Sequence, residues 1–139
     1  MGAAEQGWSN SAAQLVTAVG YAQILARVVT SWWQDHDLLL TPTMGLPPAQ
    51  LGTIGTGHGD ADPLAPIERA VPYAAFTAAF NATGQPAISL PLHWSDAGLP
   101  IGVQLVGDLG AEDLLLRVAA QLEEAQPWAQ RRPEAFAAA

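Results

Sequence analysis

The sequence is 139 residues long with a formal net charge of −8, and half of its residues are hydrophobic while 13% are charged. One domain with a core fits that length and two do not, while the sparse charge, about half of the roughly 25% typical of soluble domains, implies apolar surface covered by something larger. Cysteine and lysine are absent and the five cations are arginines, which excludes a basic face for nucleic acid or an anionic membrane, a disulfide framework and a thiolate nucleophile.

In chain order, residues 1–10 are small and polar, and Ser9, Asn10 or Ser11 supplies a helix cap. No basic residue precedes Arg27, and the uncharged run 6–26 is studded with Gln, Ser, Asn and Thr. A secretory leader and a membrane span are therefore not expected, and the cytoplasm is the expected location. Leu15, Val16, Val19, Ile24, Leu25, Val28, Val29, Trp32 and Trp33 recur at spacings of three and four. They predict a helix over about 11–34 with a broad apolar stripe, packed on more than one side, in which Gly20 permits a close crossing.

Residues 37–43, DLLLTPT, form a short apolar run without alternation that ends at proline. That pattern predicts a strand buried on both faces. Residues 44–71 are rich in Gly and Pro and show neither period, so they predict a long loop of the kind that is either a functional lid or a disordered segment. Pro72 suits the first turn of a helix whose apolar face is Tyr73, Phe76, Ala79 and Phe80, closed by a left-handed Gly84. Strands follow at 86–94 and 101–106, joined by the turn Ser95-Asp96-Ala97-Gly98 and therefore paired antiparallel. Residues 110–113 open a last helix with an acidic start, and Leu114, Leu115, Val118, Ala119 and Leu122 form its buried face before Gln126-Pro127 ends it. Without a repeat or a linker, the chain reads as one unit, 1–139.

Chemistry-bearing residues are scarce. His36, His58 and His93 are far apart in sequence, and the run HGDAD at 58–62 lacks the spacing of a calcium loop or a zinc helix. No metal and no cofactor is expected. None of the serines lies in a G-x-S-x-G elbow, and Ser89, inside a strand, reads as a sheet hydrogen-bonding residue. The glycine-rich GTIGTGHG lacks the lysine of a phosphate loop. No catalytic residue is assigned to this chain.

DLLLTPT at 37–43, FNATGQPAISLP at 80–91, GLPIGVQLVG at 98–107 and EDLLLRVAAQLE at 112–123 resemble, in order and wording, the C-terminal part of the amidase signature family. The resemblance spans about 21–133. It implies an α/β fold, a mixed β-sheet flanked by helices, of which this chain is the C-terminal portion. It implies hydrolysis of carboxylic amides by a serine, a second serine in a cis peptide and a lysine base, all upstream of the matched motifs and absent here. The chain is then a C-terminal fragment or truncated form that supplies scaffold and pocket wall. Its expected ligand is a small-molecule amide, bound once the missing N-terminal region completes the site. The resemblance assigns substrate contact to Ala74, Thr77, Asn81, Ala82 and Thr83. In some members an acidic residue two places before a Phe-Thr pair anchors a substrate amine; Ala74 stands there, which implies a less polar amide. The alternative is a non-catalytic binding or self-assembly module that keeps the amidase half-fold, with a homo-oligomer as its form.

Overall fold

The computed structural model describes residues 7–55, 62 and 64–132. Helix α1, Ala12–Ser31, starts at a reciprocal cap: Ser11 Oγ accepts from the Gln14 N–H at 3.2 Å, and Gln14 Oε1 accepts from the Ser11 N–H at 2.7 Å. Two otherwise orphaned donors are satisfied by this exchange. A 3₁₀ turn, Trp32–Gln34, extends the helix, so the expected 11–34 helix is present. Its packing is not as expected. No residue of α1 is buried, and nothing lies within 4 Å of a methyl group built on Gly20, so among the described residues no helix crosses there. The helix packs against residues 78–83, and just beyond its end buried Trp33 meets Phe80 edge to face at 6.4 Å. By length and composition alone, Ala12–Gln34 is apolar enough to cross a membrane.

Three strands make the sheet: β1 (Leu38–Pro42), β2 (Ala87–Trp94) and β3 (Pro100–Gly107), in the order β1-β3-β2 with both pairings antiparallel. The strand predicted at 37–43 is therefore an edge, half-buried rather than buried on both faces, with Leu40 64% exposed. Its Pro42 is tolerated there because an edge strand has ladder positions that need no donor. In β2 the register slips between Leu90 and His93, around Pro91.

The loop predicted over 44–71 contains a helix, α2 (Ala65–Ala70), with proline in its first turn. Six residues are too few to display a helical period. The next helix starts later than Pro72 predicts: 71–77 runs through successive i+3 turns, Tyr73 N–H to Ala70 O, Ala74 N–H to Val71 O and Thr77 N–H to Ala74 O. Helix α3 is Ala78–Thr83, so Asn81, Ala82 and Thr83 are its last turn rather than a free turn. Gly84 ends it at φ 76°, its N–H bonded to Phe80 O at 2.9 Å, a conformation glycine adopts without steric cost.

Helix α4, Glu112–Ala125, covers one sheet face. Leu115 and Ala119 pack with Leu90 and Leu105, ringed by Leu38, Ile88, Leu92, Val118, Leu122 and Trp128. Gln126 Nε2 donates to Leu92 O at 2.7 Å and fixes the helix end to β2. Among the described residues only six hydrophobic side chains are buried. At roughly 1.5–3 kcal/mol for each large one, that is a thin core for a chain half hydrophobic.

Candidate functional site

Strand alternation sends the other face of the sheet a different set of side chains. Leu39, Val106 and Ala87 share one row, and Thr41, Gln104 and Ser89 the next. One step further, Thr43 donates its N–H to Gly102 O at 2.9 Å, and Thr43 Oγ1 and Ser89 Oγ share a hydrogen bond at 2.6 Å across Gly102. This is the sheet hydrogen bonding expected of Ser89; its partner is a hydroxyl, not a base. A methyl group on Gly102 would lie 2.7 Å and 2.8 Å from those two oxygens. Buried Gln104 uses its side-chain N–H groups on Thr41 Oγ1 at 3.1 Å and the Phe76 carbonyl at 2.9 Å.

At the Gly102 end of this face lies a cavity of about 730 Å³, within the usual range for small-molecule sites. One side is the loop after β1: Met44, Gly45, Leu46, Pro47, Pro48, Ala49 and Ile54. The second is the segment before α3, with Ala70, Tyr73, Ala74 and Thr77, and the floor is Pro100, Ile101 and Gly102. The two sides are joined by the Gly45 N–H to Tyr73 O bond, 3.0 Å. No charged side chain lines the cavity among the described residues. Such a space favours neutral ligands, because a charge taken from water would find no partner.

The structure brings together two of the five residues named from sequence. Ala74 and Thr77 line the cavity; Asn81, Ala82 and Thr83 lie on α3 outside the lining. Thr83 instead donates to Gln85 Oε1 at 2.9 Å, and buried Gln85 donates on to Gly107 O at 3.4 Å, tying the α3 end to β3. Sequence reasoning missed the loop side and the floor. The Pro-rich stretch after Met44 and the G-L-P-I-G motif were signals for both. His58 and Asp60 of the HGDAD run lie outside the described residues, and among those described no three His, Asp or Glu side chains gather as a metal site.

Helices flanking a sheet, with a neutral cavity and, among the described residues lining it, no nucleophile–base pair, define part of an α/β fold. A family model described as Amidase matches residues 3–116, and the chain belongs to the amidase family, as part of an amidase signature enzyme. The 6-aminohexanoate-cyclic-dimer hydrolase of Pseudomonas sp. (strain NK87) is 46% identical over 110 residues, 76% of this chain and 22% of that protein. A solved 6-aminohexanoate cyclic dimer hydrolase superposes with a TM-score of 0.84 at 39% identity, covering 94% of this chain and 28% of its own. A bacterial aryl acylamidase of the amidase signature family superposes at 0.73 with 26% identity, covering 93% and 27%. The chain thus spans between a fifth and a third of the length of these relatives, and its fold is a portion of theirs.

Proposed function

We propose that this chain serves the hydrolysis of carboxylic amides to acid and amine or ammonia, as scaffold and one wall of the substrate pocket. The nucleophile and its base come from a region of the amidase domain beyond these residues. The observation that carries this reading is the combination of a ligand-sized neutral cavity with a sequence that has no lysine. An activated serine needs a positioned base and donors for the oxyanion, and a cavity wall needs neither. Ala74 and Thr77 contact the substrate in this reading, and the domain is one unit over 1–139. The missing cysteine fits a reducing cytoplasm. A non-catalytic or self-assembling module draws no support from relatives named as amide hydrolases.

The test is complementation. The chain alone should not release amine from a neutral aliphatic amide, and the chain joined to a Lys- and Ser-bearing amidase region should. Turnover by the lysine-free chain alone would overturn the reading.

A further inference from the structure

The cavity's second side, residues 73–77, is joined directly to the sheet's central strand by a hydrogen bond from a buried side chain, Gln104. Gln104 is 4% exposed, sits one row deeper on β3 than the cavity floor at Gly102, and does not line the cavity itself. Its amide nitrogen spends one hydrogen on Thr41 Oγ1 of β1 and the other on the carbonyl of Phe76, the residue before Thr77. That geometry ties the sheet's central strand, its edge strand and the cavity wall through a single planar group. Thr41 and Ser89 flank it in register and carry no titratable group.

From this we infer that Gln104 is a positioning residue, setting the gap between the 73–77 wall and the sheet and so the affinity of the cavity for a neutral amide. The inference rests on reading the cavity as the amide-binding site. The Gln104 bond to the Phe76 carbonyl, 2.9 Å, runs directly from β3 to this wall and sets their separation. Through the Gly45–Tyr73 bond the same wall carries the loop opposite. Without the donor at 104, a partly buried carbonyl is left unpaired and the wall moves out to find water.

The experiment uses the full 139-residue chain and hexanamide, followed by shifts of the Ile54, Ile101 and Met44 methyl resonances. The unaltered chain should bind, and Gln104→Met should bind about tenfold more weakly, since one buried hydrogen bond is worth about that factor. Gln104→Glu supplies the readout that a merely structural role would not move. Burial favours the protonated carboxyl, which can donate to the Phe76 carbonyl, whereas the carboxylate cannot. Affinity of this variant should therefore be weak at pH 8 and recover several-fold at pH 5, with an unchanged circular dichroism spectrum and no such trend in the parent. Should Gln104→Met not fold, the two pH values of the glutamate variant decide alone. Equal affinities in all variants, a pH-independent glutamate variant, or no hexanamide binding by the parent would overturn the inference. The amidase reading fails separately: hexanamide binding that depends on residue 104, with no hydrolysis after complementation, sinks that reading and leaves this one standing.

Discussion

Gly45 and Gly102 show how single positions shape the cavity. A methyl group on Gly45 would overlap the Pro72 carbonyl oxygen and sit 3.2 Å from Ala75 Cβ. The obstacle is backbone, which cannot swing aside, so the loop reaches the 73–77 wall only because this residue has no side chain. Gly45→Ala should lower the unfolding free energy by about 1–3 kcal/mol, the usual cost of overpacking, read from the urea midpoint at constant slope. Gly102 meets a softer obstacle, the hydroxyls of Thr43 and Ser89. Gly102→Ala would push them apart and cost the bond between them, about 0.5–1.5 kcal/mol, with Thr43→Val as the comparison that removes the same bond without the clash. Neither requirement is visible in the sequence. Both glycines lack the positive φ that a turn pattern announces, and the atoms they avoid come from distant parts of the chain.

At the scale of elements, local chemistry was legible wherever it sufficed to decide the outcome. The Ser11–Gln14 exchange that starts α1 is a four-residue pattern, and Ser11→Ala should cost about 1 kcal/mol and fray the first turn, measured as lost ellipticity at 222 nm. The β2–β3 hairpin and α4 likewise follow from a turn signal and a clean period. What the sequence hid depends on neighbours. The unalternating LLL of β1 predicts burial on both faces, yet among the described residues only β3 pairs with this strand, and Leu40 stays exposed. Helix α2 is too short for a period, and the 71–77 turns imitate a helix start at Pro72. Of the site, Ala74 and Thr77 were found through the Phe-Thr motif, while the loop and floor could be placed only once β1 and β3 were seen side by side. Gly20 tests the same dependence. With open space around it, Gly20→Ala should stabilise the chain by roughly 0.5–1 kcal/mol, the helix-propensity difference; destabilisation would show that another segment crosses there.

For the whole molecule, the decisive fact is where the apolar surface ends up. Leu15, Val16, Val19, Ile24, Leu25 and Val28 are each between 49% and 71% exposed on α1, and the helix carries one charged residue, Arg27. Apolar side chains exposed nearly all round a helix exceed what single scattered surface residues explain and mark a covered interface. The relatives are more than three times as long as this chain, so the remainder of an amidase domain is the cover we propose. If so, the isolated chain should bind an apolar dye and show a concentration-dependent mass by light scattering. Replacing Val16 and Val28 by Glu should shift it toward monomer while leaving its unfolding free energy within about 0.5 kcal/mol, as surface changes do. The same double change should abolish complementation by the remaining region, because two carboxylates would be buried without partners. A monodisperse, dye-silent chain whose Val16→Glu, Val28→Glu form still complements would remove α1 as the interface. The thin core would then have to be stabilised by the sheet edges β1 and β2 instead, which are unpaired among the described residues.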